Sequence, residues 1–232
     1  MKILTCEQRS PEWHQARHGR ITMSHAGDLL TGGKGVTRAS YLRSVAAEIL
    51  SPEWERSEYQ SEDMLRGCEL ESFALEAYQA VTGAQCTTVG FVIADDDRIG
   101  CSPDALPSDG GGVEIKCPTP ANHLSYLDSA KMQKDHGAQV QGSMWVCNAV
   151  HWDLVSFCPW VTDHPMIIHR IHRDPDIIDR LSESAIRGAD EVESMVAAIK
   201  TANRNQQTMQ IAKLARAHWS EIKNEMNAEV QL

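Results

Sequence analysis

No two cysteines in this chain are spaced C-x-x-C, although seven are present, at positions 6, 68, 86, 101, 117, 147 and 158. An odd, scattered set argues against a disulfide framework and against a zinc ribbon or a cysteine-rich iron–sulfur site. Such thiols serve as small buried apolar groups in a reducing compartment. The H-E-x-x-H signature is missing too, which ranks a zinc hydrolase low among the candidates. Long apolar runs are absent: stretches such as Val89–Ala94 fall far short of the roughly 20 residues that span a bilayer. The N-terminal MKILTCEQRSPEW has no signal-peptide core, since its apolar part stops within a few residues. A cytoplasmic protein is expected, with no membrane partner. No repeat or low-complexity tract breaks up the 232 residues. That length can bury a good core as one domain, with or without a helical appendage.

Basic charge is in short supply, and the formal net charge of −10 looks wrong for a nucleic-acid binder. Net charge is a poor guide when the charges segregate, because a local basic patch sets the field that a phosphate feels. Within residues 1–45, Lys2, Arg9, Arg17, Arg20, Lys34, Arg38 and Arg43 outnumber Glu7, Glu12 and Asp28. Residues 46–75 run the other way, with Glu48, Glu53, Glu55, Glu58, Glu62, Asp63, Glu69 and Glu71.

Periodicity predicts short helices at Pro11–Gly19 and His25–Leu30, the second N-capped by Ser24. A helix at Thr37–Leu50 turns Leu42, Val45, Ala46 and Ile49 to one face, and a longer one at Ser61–Thr82 is closed by Gly83. Then β-branched runs take over at Thr88–Ala94, Ile99–Ser102 and Val113–Cys117, separated by Asp- and Gly-rich turns. Helices are expected at Asn122–Ser129 and Asp135–Asn148, and strands at Trp152–Phe157 and Met166–His172. From Asp174 onward the chain reads as helical, over Pro175–Ala202 and again to about Val230. The expectation is a mixed α/β (α+β) fold with a central mixed sheet flanked by helices, in which residues 1–173 form the core and 174–232 a helical extension.

Ser102-Pro103-Asp104 followed ten residues on by Glu114-Ile115-Lys116 fits the P-D-x(n)-(D/E)-x-K pattern. Side chains alternate along a strand, so Glu114 and Lys116 share one face while Ile115 and Cys117 share the other. Asp104 can approach Glu114 across the turn. Two carboxylates at one point offer hard oxygen ligands to Mg²⁺ or Mn²⁺. A lysine beside them can orient the attacking water and offset charge on the phosphorus. Such a match arises by chance in roughly one chain in ten or twenty, so other features must carry the argument. In the Ser61–Thr82 helix, Glu71 falls inside the stripe of Met64, Cys68, Leu75, Tyr78 and Thr82. A carboxylate on a core-facing stripe is costly unless a metal or a cation pairs with it. In the Asp135–Asn148 helix, Gln139 and Ser143 lie one turn apart, away from Val140, Met144 and Cys147, and suit phosphate contacts.

The segments GCELE (67–71), CSPDAL (101–106), GGVEIKCP (111–118) and AQVQGSMWV (138–146), with WHQARHGRITMS (13–24), resemble the phage lambda exonuclease and YqaJ-type viral recombinase family. That family belongs to the PD-(D/E)XK nucleases. The resemblance implies a restriction-endonuclease-like core. It implies that Asp104, Glu114 and the Ile115 carbonyl hold one or two Mg²⁺ ions (Mn²⁺ substituting), with Glu71 near them. It makes Lys116 the catalytic lysine and Gln139 the glutamine of the A-Q-V-Q helix. It assigns Arg17, Ser24, Ser102 and Gln139 to a 5′-terminal phosphate, and Met64 to a wedge at the duplex end. A helix N-cap at Ser24 would suit an anion physically. Gly142 departs from the family pattern, standing where an aromatic residue occurs, and the chain past Asn148 matches little.

The implied activity is 5′→3′ digestion of linear double-stranded DNA to mononucleotides, leaving 3′ overhangs, by a homotrimer of phage or prophage origin that works with a single-strand annealing recombinase. Two other readings fit the same residues: a PD-(D/E)XK endonuclease of repair or restriction type, and a catalytically inactive DNA-binding loader.

Overall fold

A computed structural model describes residues 1–30, 36–51, 62–202 and 206–229. The chain begins with β1 (Lys2–Leu4), α1 (Pro11–Arg17), β2 (Ile21–Thr22), a 3₁₀ turn at Met23–His25, α2 (Ala26–Leu30), α3 (Val36–Leu50) and α4 (Glu62–Thr82). Four short strands follow: β3 (Cys86–Thr87), β4 (Phe91–Ile93), β5 (Ile99–Cys101) and β6 (Leu106–Pro107). Then come β7 (Gly112–Lys116), α5 (Pro120–Ser125), α6 (Ser129–Cys147), β8 (His151–Phe157), β9 (Met166–His172), α7 (Pro175–Ala202) and α8 (Gln206–Glu229).

Local chemistry sets several of these boundaries. Ser10 caps α1, its Oγ accepting from the Trp13 N–H at 3.3 Å, and Pro11 occupies the first turn where its missing N–H costs nothing. Asp128 caps α6, and Asn148 ends it in the left-handed conformation. Gly83, at φ +71°, ends α4.

The expected mixed sheet is present as three ladders. One ladder runs β1-β4-β5-β2, a second pairs β3 with β6, and a third runs β7-β8-β9. In the third, β7 and β8 are parallel and β8 and β9 antiparallel. Pro103 follows β5 at the end of the first ladder, and proline cannot donate to a ladder. A single antiparallel bridge, Ala105 to Val113, joins the segment after β5 to β7.

The main core packs α2, α3, α6 and α7 against β5, β8 and β9, through residues such as Leu29, Leu42, Met144 and Trp152. From α7 it takes Leu181, Ala185, Ala189, Val192 and Val196, a stripe at helical spacing. Residues 174–202 therefore share the core of the strands. Under the other face of the third ladder, Val113, Ile115 and Val155 pack on Ala74 and Tyr78 of α4. That face carries the odd-numbered residues of β7, which turns Glu114 and Lys116 to the opposite side. Along α4 the fully buried pair is Ala74 and Tyr78; Cys68 and Leu75 are half-buried and Thr82 is exposed. Ile49, expected in the α3 stripe, lies at its exposed margin, while Leu42, Val45 and Ala46 are buried. Gly142 is explained by packing: a Cβ there would stand 2.5 Å from Met23 Sδ and 2.9 Å from Leu181 Cδ2. On α8, Met209, Ile211, Leu214 and Trp219 are all exposed. All seven cysteines are free thiols.

Candidate active site

The bridge between Ala105 and Val113 fixes Asp104 beside β7, because the Asp104 N–H donates to the Val113 carbonyl at 3.2 Å and the Val113 N–H to the Ala105 carbonyl at 3.0 Å. Asp104 Oδ2 then accepts the backbone N–H of Ile115 at 2.5 Å. On β7, Lys116 Nζ donates to Glu114 Oε1 at 2.7 Å. Gln139, reaching over from α6, donates to that same oxygen at 2.7 Å, and its own carbonyl lies 3.5 Å from Lys116 Nζ. Glu114 is 4% exposed, and its Oε2 is buried with no hydrogen-bond partner among the described residues.

Electrostatics follow from this crowding. Burial pushes the Asp104 carboxyl well above its ordinary range, and the Glu114 charge pushes it the same way; Lys116 and the Ile115 N–H oppose both. Burial alone would lower Lys116, but Glu114, Asp104 and Glu71 outweigh it and hold the amine charged. Lys116 is therefore an ammonium donor at neutral pH.

Glu71, expected on a core-facing stripe, is half-buried and lines a cavity with Asp104, and a cation pairs with it. Arg9 Nη2 lies 3.0 and 2.7 Å from the two Glu71 oxygens. Arg9, Glu71, Asp104 and Ile115 line one cavity of about 450 Å³, together with Gln8 and Cys68.

Ser102, two residues before Asp104, organises a second cluster. Its Oγ accepts from Trp13 Nε1 at 2.9 Å and from Arg17 Nη1 at 3.1 Å. The Arg17 guanidinium lies over the Trp13 ring at 4.3 Å from its centroid. Arg17 Nη2 also lies 3.4 Å from Ser24 Oγ, which in turn meets Thr22 Oγ1 at 3.0 Å. Three hydroxyls and a guanidinium thus face one another, the donor set that a phosphate takes.

With both clusters in view, the comparisons decide the family. The YqaJ-like viral recombinase domain matches residues 12–150, well over half of the chain. The chain belongs to that family. No curated protein matches it. Among solved structures it is similar to the alkaline exonuclease LHK-Exo of Laribacter hongkongensis, at 28% identity and a TM-score of 0.77, over 84% of this chain and 98% of that one. The same enzyme in complex with dAMP matches at 28% identity and a TM-score of 0.78, with the same coverage. A phage-related exonuclease from Haemophilus somnus 129PT shares the fold, at 16% identity and a TM-score of 0.66, over 80% of this chain and 99% of that one. The fold is that of the PD-(D/E)XK nucleases.

Several expected positions in this YqaJ-like domain are changed by the structure. Ser24 does not cap a helix: it sits inside the 3₁₀ turn that Thr22 precedes. It reaches the anion cluster through its hydroxyl alone. Gln139, expected both at the acid pair and at the terminal phosphate, hydrogen-bonds with Glu114 and Lys116. Ser143 is buried, 2% exposed, against Cys101, and faces no solvent-borne phosphate. Arg38, counted in the basic N-terminal stretch, is 5% exposed and bound by its two terminal nitrogens to Glu191. The side chain of Met64 lies outside the described residues. His14 and His18 stand four apart, a spacing that can offer zinc two imidazoles. His18 Nε2 is instead 2.9 Å from the Glu48 carbonyl.

Among the described residues no three His, Cys, Asp or Glu are gathered closely enough to hold a metal ion. Glu71 is turned to Arg9. The acid pair nevertheless fits a hard divalent cation, which takes one or two carboxylates and keeps its waters. Asp104 and Glu114 would supply the carboxylates, the buried Glu114 Oε2 has no hydrogen-bond partner among the described residues, and Ile115 lines the cavity that Asp104 also lines.

Sequence reasoning missed Arg9 and Trp13 as members of the site. Nothing in the sequence marks Arg9; its φ of +69°, a region that non-glycine residues rarely adopt, is a feature of the structure alone. Trp13 gave a signal within the WHQARHGR segment, but its indole bond to Ser102 spans 89 residues of sequence. Among the described residues no helix is long and apolar enough to cross a membrane.

Proposed function

We propose that this chain is a phage-type, divalent-cation-dependent exonuclease that digests linear double-stranded DNA from the 5′ end and releases mononucleotides. Family membership and the alkaline exonuclease fold carry the nuclease class. The 5′ direction comes from the family resemblance of Arg17, Ser24 and Ser102, and the one-nucleotide step is supported by one observation: Ser102 and Asp104 belong to adjoining clusters yet are two residues apart. Two residues of chain span at most about 7 Å, a separation on the scale of one nucleotide step. A terminal phosphate held by Arg17, Ser24 and Ser102 thus leaves the next phosphodiester beside Asp104 and Glu114.

Asp104, Glu114 and the Ile115 carbonyl would hold one or two Mg²⁺ ions, with Glu71 available beside them. When bound, such a cation polarises a phosphate oxygen and lowers the pKa of water. Gln139 and Lys116 fix Glu114 Oε1 from two sides, which leaves Oε2 as the open oxygen. Lys116, held as an ammonium, donates to the phosphate and offsets the negative charge that builds up during attack. The acid-rich chain binds DNA because its cations converge on phosphates at these two clusters while carboxylates cover other surfaces. A homotrimer, a single-strand annealing partner that takes up the 3′ overhang, and action in the cytoplasm of a bacterial host complete the proposal.

Linear duplex labelled separately at its 5′ and 3′ ends tests this reading, with Mg²⁺ and with chelator, beside a covalently closed circle. Early release of the 5′ label as a mononucleotide, with Mg²⁺ only and with the circle intact, is the expected result. Cleavage of the circle would make the chain an endonuclease. No cleavage of either substrate would leave a DNA-binding loader.

A further inference from the structure

The feature that the nuclease reading leaves unused is Arg9. It occupies the third position of a turn from Glu7 to Ser10, closed by the Ser10 N–H donating to the Glu7 carbonyl at 3.2 Å. At φ +69° its backbone adopts a conformation that such a turn usually gives to glycine. An arginine kept in that conformation points to a task for its side chain. The turn is also anchored at the acid site. Gln8 Nε2 donates to the carbonyl of Pro103 at 2.8 Å and to that of Val89 at 3.2 Å. Just upstream, Cys6 passes so close to Gly90 that a Cβ there would stand 2.2 Å from the Cys6 carbonyl oxygen. Arg9 is thereby placed at the cavity that Glu71, Asp104 and Ile115 line.

What the side chain does there is specific. A single nitrogen, Nη2, touches both oxygens of Glu71, as one small cation between them would. The pair is half open to water, with Arg9 43% and Glu71 31% exposed, so exchange meets no steric barrier from the core.

We propose that Arg9 is a resident counter-ion for Glu71, which a divalent cation displaces when it enters the acid cluster. Arg9 is on this view a positioning residue acting through Glu71: it keeps the Glu71 charge compensated beside Asp104 in the cation-free chain and raises the cation concentration needed to load the site. The inference rests on the nuclease reading for the identity of the acid cluster, and its test reads cation binding without DNA.

Mn²⁺ is titrated calorimetrically into the full chain and into Arg9→Gly, a change that removes the guanidinium and suits the observed backbone. Arg9→Gly should bind Mn²⁺ on the order of tenfold more tightly, the worth of one charge-assisted hydrogen bond. Arg9→Lys, which retains a point charge, should fall between the two. In a Glu71→Gln background the Arg9→Gly change should leave Mn²⁺ affinity unmoved. Equal or weaker binding by Arg9→Gly overturns the proposal, as does an undiminished effect in the Glu71→Gln background. Asp104→Asn should weaken Mn²⁺ binding throughout, tying the titrated site to the acid pair. A chain that shows the Arg9 effect yet cuts no DNA would refute the nuclease reading and leave this one standing.

Discussion

Trp13 and Ser102 meet through a hydrogen bond of 2.9 Å between the indole N–H and the hydroxyl oxygen. That bond fixes Ser102 under the Arg17 guanidinium, which itself rests on the Trp13 ring. The anion cluster is thus built on one tryptophan. Arg17→Ala should cut kcat/KM on 5′-phosphorylated duplex by about ten- to a hundredfold, the value of one or two charge-assisted hydrogen bonds. Duplex with a 5′-hydroxyl should be much less affected. Trp13→Phe, which keeps the ring and removes the donor, should give a smaller loss in the same direction. The ratio of the two substrates' kcat/KM measures both effects.

Lys116→Ala should lower kcat by about 10²–10³-fold, the cost of losing one preorganised donor to developing charge. KM for duplex ends should change little, because Arg17 and Ser102 remain. Asp104→Ala and treatment with chelator should each abolish release of nucleotides while gel-shift binding of phosphorylated ends persists. Restored Mg²⁺ should rescue the chelated enzyme and not the variant.

Away from the site, Asp153 on β8 is 2% exposed and receives Tyr78 Oη at 2.6 Å and Arg170 at 2.8 Å. Burial raises its carboxyl, but Arg170 and Tyr78 outweigh that and hold it below the usual carboxylate range. Its stabilisation is therefore present above the unfolded carboxyl pKa and is lost as pH falls through the lower folded value. Tyr78→Phe should cost about 1–2 kcal/mol, one buried hydrogen bond to a charged group. Arg170→Leu should cost about 1–3 kcal/mol, less than a fully buried pair because the guanidinium is half in water. Urea denaturation at pH 7 and pH 3.5 reads both, and the two variants should differ less from the parent at the lower pH.

His136, paired with Tyr126 Oη at 3.0 Å, is pushed down to about 4 by burial and by the Lys116 charge. The unfolded chain binds this proton below about 6.5 and the folded chain does not. Stability should accordingly fall as pH drops from about 6.5 towards 4, and level off below. His136→Gln should flatten that part of a plot of Tm against pH. An unchanged slope would show that His136 does not contribute to it.

Gly142→Ala places a methyl group against Met23 and Leu181 in the core. It should destabilise by about 1–3 kcal/mol, the usual range for overpacking. Because Met23 adjoins Ser24, the preference for phosphorylated ends should decline with it.

Much of the fold could be read from periodicity. Pro175–Ala202 and Met166–His172 have the expected bounds, and α4 ends at its glycine. The small strands β1, β2, β3 and β6 gave no sign, since two or three residues hold no period and their pairing is with distant chain. Ser24 illustrates the same limit within the site. A serine before a helix reads as a cap, yet the backbone turns into a 3₁₀ segment one residue earlier, after Thr22.

By itself the sequence determined how the side chains of β7 are divided between its two faces. Strand alternation alone puts Glu114 and Lys116 on one face and Ile115 on the other. It also flagged Glu71, because an acid inside an apolar helical stripe demands a partner. Only the tertiary structure decided which partner that is. Arg9 lies 62 residues from Glu71 in the chain, and an attraction between two charges carries no periodic trace in sequence. The same holds for Trp13 with Ser102 and for Gln139 with Glu114: their contacts depend on how α1 and α6 are packed on the strands, which is set by the core as a whole.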